Sequence, residues 1–176
     1  MDHLKVFEDF KNGSNIDDRI LSYMKESDYD SLPLDYKKSL MIWNLYHGDG
    51  DFTWDDDFYD DLIFDDSFDW VNDERIEKMA IDFGERFSKK LNHYYRYGSI
   101  PTELIKEKLN TISSIINVDS WHRSYQSSND ANHGDSVLPI IVDFEDDYEW
   151  IPDGWHRLSY YLHKRLKQIP IIEVKY

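Results

Sequence analysis

The stretch Pro139–Tyr176, PIIVDFEDDYEWIPDGWHRLSYYLHKRLKQIPIIEVKY, decides how the fold is read. Pro139-Ile140-Ile141-Val142-Asp143-Phe144 is a short apolar run rich in β-branched residues, the pattern of a strand. Glu145-Asp146-Asp147 is a polar turn, and Tyr148-Glu149-Trp150-Ile151 alternates as a second strand. The two predict a hairpin. Pro152-Asp153-Gly154 breaks the pattern. Leu158, Tyr161, Leu162, Arg165 and Leu166 then recur at helical spacing. Gln168-Ile169-Pro170 ends the helix, and Ile171-Ile172-Glu173-Val174 predicts a last strand.

The chemistry of this unit sits where the second strand meets the helix. Gly154 allows a sharp turn and a close approach of backbone to ligand. The free N–H groups of the first helical turn, with the positive end of the dipole, make an anion seat. Arg157 can clamp phosphate or carboxylate through two N–H groups. His156 is a candidate general acid or base, or a phosphate donor. Asp153 can cap the helix, orient His156 or hold a metal ion. The plain structural reading makes Asp153 an N-cap, Gly154 a turn residue, and His156 and Arg157 part of a solvated face.

The run strand–Asp153-Gly154-Trp155-His156-Arg157–helix–Ile169-Pro170-Ile171-Ile172 resembles the ParB/sulfiredoxin fold, which also includes free-serine kinases. Members carry a D-G-x-H-R-like or G-x-x-R-like motif at a helix start, followed by a short helix and a strand that often opens Ile-Pro-Val. The resemblance covers Pro139 onward clearly and Ile100 onward more loosely. It implies nucleotide binding, ATP or CTP with Mg²⁺, with the phosphates held at that helix start. Two departures limit it. Sulfiredoxin places a catalytic Cys beside the His-Arg pair, and this chain has no Cys, which excludes that reaction. ParB proteins add an arginine-rich motif and a helix-turn-helix downstream, whereas this sequence stops at the final strand, so partition-type DNA clamping is not expected.

Composition narrows the classes. The 176 residues suffice for one ordinary domain, or one with an appendage. Net charge is −16, from 36 acidic against 20 basic residues, so the chain as a whole repels nucleic acid and anionic membrane. That charge favours a basic partner protein, or simply solubility. Aromatics at 16% argue against a disordered chain. The lack of Cys rules out a disulfide framework and suits a reducing compartment. MDHLKVFEDF lacks the pattern of a signal peptide, and no apolar run is long enough for a membrane span. The expected setting is the cytoplasm, of a microbe or of the host of a phage, plasmid or other mobile element.

Upstream, helices are predicted over residues 1–11, with Leu4, Phe7 and Phe10 on one side, over Ile16–Lys25, and over Leu34–Tyr46. Ser27–Pro33 is a turn-rich joint. Residues 49–70, DGDFTWDDDFYDDLIFDDSFDW, hold ten Asp and seven aromatics in 22 positions and not one Lys or Arg. Three readings compete. Calcium would suit the carboxylates, but the EF-hand order is absent. Closely spaced carboxylates, Asp55, Asp56, Asp57, Asp60 and Asp61 among them, can imitate phosphates and occupy a basic groove. A plain acidic face whose aromatics enter the core is the third, supported by the helical spacing of Phe58 and Leu62.

Asp73–Tyr97 predicts a long helix on the stripe Ile76, Met79, Ala80, Phe83, Phe87 and Leu91. Its Arg75, Lys78, Arg86, Lys89 and Lys90 compensate the acidic block. Arg96 among tyrosines is a stacking candidate or a core edge. Gly98-Ser99-Ile100-Pro101 is the expected boundary, and Thr102–Ile116 the next helix, with Thr102 a possible cap. Asp119-Ser120-Trp121-His122-Arg123 echoes Asp153-Gly154-Trp155-His156-Arg157 at four of five positions. Either both His-Arg pairs face one anion, or Trp121 packs while His122 and Arg123 stay on the surface. Tyr125–Ser136 is a long polar connection and a candidate lid.

The expected protein is thus α+β: an acidic helical region, residues 1–97, packed on a small mixed-sheet unit, residues 98–176, of ParB/sulfiredoxin-like type. Two functions follow. In the first, Gly154, Arg157, Arg123 and His122 bind phosphate, with His156 and Asp153 as catalytic candidates and Asp153 as a Mg²⁺ ligand. Phosphoryl transfer or phosphodiester hydrolysis, as in an NTPase, kinase or nuclease, would be the reaction. In the second, the fold is a scaffold and the Asp-rich stretch blocks a basic, nucleic-acid-binding host protein.

Overall fold

The computed structural model describes residues 15–47, 74–83, 94–112, 138–145 and 150–175. In chain order these form α1 (Ile16–Leu21), β1 (Met24–Ser27), α2 (Leu34–His47), α3 (Glu74–Phe83), β2 (Tyr94–Pro101), α4 (Thr102–Thr111), β3 (Ile140–Val142), α5 (Trp155–His163) and β4 (Gln168–Lys175). The strands make one mixed sheet in the order β1-β2-β4-β3. β2 runs antiparallel to both β1 and β4, and β3 runs parallel to β4. The α+β class is as expected. No helix among the described residues is long and apolar enough to cross a membrane.

β4 is the central element. Ile169, Ile171 and Ile172 are fully buried, an unbroken apolar run of the kind a strand covered on both faces requires. On one face Ile172 joins Tyr95 and Tyr97 of β2 and Ile141 of β3, under Leu40 and Met41 of α2 and Ile76, Met79, Ala80 and Phe83 of α3. On the other, Ile171 and Ile169 join Ile100, Ile140 and Val142, under Ile20 of α1, Leu104 and Ile105 of α4, and Leu158 and Tyr161 of α5. The sheet is therefore the middle of three layers. Each fully buried isoleucine contributes about 1.5–3 kcal/mol of hydrophobic stabilisation.

Aromatic residues fill the α2–α3 side. Tyr29, in the joint before α2, meets Phe83 and Tyr95 with ring centroids 5.7 Å and 5.9 Å apart, and its hydroxyl donates to the Ala80 carbonyl. Tyr36 packs edge-on against Tyr97 at 4.8 Å and donates to the Gly98 carbonyl. On the opposite layer α1 is clipped to α4. Arg19 pairs with Glu107 at 2.5 Å, and buried Lys108 lies 2.8 Å and 2.9 Å from the two carboxylate oxygens of Asp17.

Several expectations are corrected here. The helix expected over Ile16–Lys25 stops at Leu21, and Met24–Ser27 is an edge strand. Tyr94-Tyr95-Arg96-Tyr97 does not close a helix but opens β2, where Tyr95 and Tyr97 point to one face and Ile100 to the other. Aromatic residues favour a pleated, half-buried surface, and tertiary pairing decides the conformation. The α3 stripe does hold from Ile76 to Phe83. The expected boundary at Gly98–Pro101 falls inside β2, hydrogen-bonded to β4 along its length and, at Gly98, to β1. A Cβ on Gly98 would stand 2.4 Å from the Tyr23 carbonyl oxygen, so glycine is what lets β1 lie against β2. The α4 cap also differs: Thr102 Oγ1 donates to the Leu166 carbonyl instead of capping its own helix.

The hairpin expected at Pro139–Ile151 is present in reduced form. β3 is three residues long. The returning chain pairs with it through Asp143 N–H to the Trp150 carbonyl, 2.9 Å, and Ile141 N–H to the Asp153 carbonyl, 3.0 Å. Pro152 has no N–H with which to extend the ladder. The helix expected over residues 1–11, the Asp-rich stretch 49–70, the Asp119–Arg123 echo and the candidate lid lie outside the described residues.

Candidate functional site

The bend before α5 is built from three residues of the expected motif. Gly154 has φ 103°, ψ 16°, a left-handed conformation that suits glycine, and it is the N-cap of α5. Its carbonyl accepts the Leu158 N–H at 2.8 Å, and no side chain caps the helix. A Cβ here would meet Ile140 Cγ2 at 2.9 Å and Arg157 Nη2 at 3.1 Å. The glycine thus serves both the turn and the close seating of β3 and Arg157. Asp153 is not the cap. Its Oδ2 accepts a hydrogen bond from Arg157 Nη2 across one helical turn.

Arg157 is not on a solvated face, as the plain structural reading had it. It is 9% exposed. Its Nη1 donates to Ser39 Oγ at 2.7 Å, and that hydroxyl donates in turn to the Pro139 carbonyl at 2.5 Å. Ser39 is fully buried on α2. The network therefore joins three elements, α2, the approach to β3, and α5, around one cation, one carboxylate and one hydroxyl. Every group in it has a partner, which is what burial of polar groups demands. The guanidinium is thus paired with the protein's own carboxylate and hydroxyl.

Asp153, Gly154 and Arg157 are brought together as expected. His156 lies in the first turn of α5, but its side chain is outside the described part, as are His122, Arg123 and the carboxylates of Asp55, Asp56, Asp57, Asp60 and Asp61. Among the described residues no group of three or more His, Asp or Glu is arranged to hold a metal ion.

Sequence reasoning missed Ser39. A signal was there: Lys38-Ser39-Leu40-Met41 puts a hydroxyl on the apolar side of α2, and a buried hydroxyl must find a partner. It also missed a second charged cluster at the far end of β4. Glu173, 1% exposed, takes Arg96 Nε at 2.5 Å and Nη2 at 2.8 Å. Arg96 therefore faces a carboxylate and not a nucleobase. Lys175 stands 3.7 Å from Glu173 and bonds Glu145 at 2.5 Å. The Lys175 hydrogen bond and charge hold the Glu145 carboxyl below the usual carboxylate range.

Tyrosines on the α2 side are perturbed in the opposite sense. Burial, reinforced by neighbouring Tyr97 and Asp35, pushes the Tyr36 phenol up to about 12. Burial raises Tyr29 further still. Both are held as neutral donors to backbone carbonyls, a structural and not a catalytic state.

Comparison with protein-family models, with curated proteins and with solved structures finds no match to this chain.

Proposed function

We propose that the chain is an acidic binding protein that occupies the basic groove of a nucleic-acid-binding partner, with the three-layer fold as its scaffold. One observation carries this reading over its rival: Arg157, the cation on which phosphate binding would depend, is paired with the Asp153 carboxylate and hydrogen-bonded to Ser39. Arg19, Arg96, Lys106, Lys108 and Lys175 are each bridged to carboxylates as well. The surplus of negative charge is left to the rest of the chain, and the stretch richest in it holds Asp55, Asp56, Asp57, Asp60 and Asp61. Closely spaced carboxylates of that kind compete with phosphates for a basic groove.

The test is capture from a nuclease-treated lysate with the full chain as bait. The bound protein should be basic, should release an oligonucleotide when the chain is added, and should be lost when those five Asp are replaced by Asn. Capture that survives the five replacements would end the mimicry reading.

A second reading rests on the uncapped first turn of α5 above the Gly154 bend. The order β3–Asp153-Gly154–α5–β4 is that of the ParB/sulfiredoxin resemblance, and an anion able to displace Asp153 from Arg157 would find free amides there. His156, and Arg123 and His122 from the echo, would complete such a seat. Thermal melts with ATP and CTP, with and without Mg²⁺, decide it. A rise in melting temperature that Arg157→Ala abolishes would favour phosphate binding.

A further inference from the structure

One surface of this acidic chain carries the opposite charge. α5 ends in His163-Lys164-Arg165-Leu166-Lys167, and Lys164, Arg165 and Lys167 are all exposed. No carboxylate among the described residues pairs with any of these three. Lys164 lies over the Tyr160 ring, 5.3 Å from its centroid. Arg19, Arg96, Lys106, Lys108, Arg157 and Lys175 are by contrast bridged to carboxylates, while Lys25 and Lys37 rest singly on the Tyr97 and Tyr29 rings.

The backbone supplies an independent observation. Arg165 N–H bonds the Leu162 carbonyl and Leu166 N–H bonds the Tyr161 carbonyl, both at 3.1 Å. This is a Schellman turn, whose left-handed position is usually glycine. Here that position is Arg165, φ 57°, the one positive-φ residue other than glycine among those described. Backbone preference argues against arginine there, and strain of this kind marks sites kept for another purpose. The helix dipole accounts for a cation at Lys164. It does not account for Lys167, which lies beyond the last turn. Thr102 anchors the knuckle from α4, its N–H and hydroxyl bonding the carbonyls of Lys167 and Leu166. The three side chains are thus displayed from a fixed turn.

We propose that this basic knuckle docks a carboxylate-rich segment of a second copy of this chain, the Asp-rich stretch at residues 49–70. The match is one of charge: three cations without carboxylate partners within four residues, against ten Asp with no Lys or Arg among them. Every copy carries both halves, so the contact is head-to-tail. At physiological salt the repulsion between two acidic molecules is screened beyond about 8 Å, whereas contacting charges still attract. The inference shares the acidic stretch with the proposed function: self-association would hold that stretch until a more basic partner displaces it.

Sedimentation of the full chain tests this. The wild type should self-associate with increasing concentration and dissociate in about 1 M NaCl, where the screening length is about 3 Å. Lys164→Gln/Arg165→Gln/Lys167→Gln should weaken association about tenfold or more, as should the five-Asp→Asn variant. A mixture of the two variants should form a one-to-one dimer and nothing larger, because only one productive contact remains. Arg165→Gly should weaken association while raising the melting temperature, which separates docking from folding. The knuckle variants keep the acidic stretch, so partner capture should persist in them. A wild type that stays monomeric, a mixture that fails to dimerise, or an oligonucleotide bound by the wild type and lost with the knuckle would each overturn the proposal.

Discussion

Asp153 and Arg157 face each other across the Gly154 bend, four residues apart in sequence, and the guanidinium reaches on to Ser39 of α2. The bend is therefore closed by the chain's own charges. This pair holds the C-terminal helix against the helix that precedes the acidic stretch.

Breaking the pair from one side should be costly. Arg157→Ala leaves the Asp153 carboxylate and the Ser39 hydroxyl short of partners in a largely buried place, and should destabilise the fold by about 3 kcal/mol. Asp153→Asn should cost less. A double-mutant cycle by urea denaturation should return a coupling of about 1–3 kcal/mol. Additive losses would mean that the two groups do not act as a pair.

Gly154→Ala tests the bend itself. The added Cβ would enter contacts of 2.9–3.1 Å with Ile140 and Arg157 at a φ of 103°. A loss of about 1–3 kcal/mol is expected, seen as a lower urea midpoint with an unchanged slope. An unchanged midpoint would contradict the geometry.

Glu173→Gln should destabilise by about 3 kcal/mol or more, because it leaves Arg96 beside a neutral amide on the covered sheet face. Thermal melting reads this directly. Arg96→Met together with Glu173→Leu should recover much of the loss, since an apolar pair fits such a site.

Alkali should unfold the protein through its buried phenols. The folded state holds Tyr36 at about 12 and Tyr29 higher, against about 10 in the unfolded chain. Protons are thus bound more tightly in the native state, and stability falls as pH rises above about 10. Tyr36→Phe should flatten the fall between about pH 10 and 12. Tyrosinate absorbance against pH, with melts at each pH, checks both.

Arg165→Gly should stabilise the fold by about 1 kcal/mol, the ordinary cost of a left-handed residue with a side chain. Chemical denaturation measures it independently of any association.

The C-terminal unit was legible because local and global preferences agree there. Ile140–Val142 is β-branched, Gly154 marks the bend, and Ile169–Ile172 is apolar throughout, as a doubly covered strand must be. α2 was legible for the same reason. β1 was not: Met24-Lys25-Glu26 are good helix formers, and only pairing with β2 makes them a strand. Tyr94–Tyr97 was hidden because the apolar spacing of α3 runs on in the sequence through Phe87 and Leu91, and the lone Gly84 does not interrupt that pattern. At the site, residue types identified Asp153, Gly154 and Arg157. They could not say whether the guanidinium faced outward. That depended on Ser39, 118 residues away in sequence, meeting it inside the fold.

The placement of β4 has a consequence for synthesis. It lies between β2 and β3, so both must pair with eight residues that emerge from the ribosome after them. A nascent chain without Gln168–Lys175 can form the β1–β2 ribbon but nothing wider. Assembly of the sheet must follow synthesis of β4, and a stop codon before Gln168 should yield insoluble product rather than a shorter working protein.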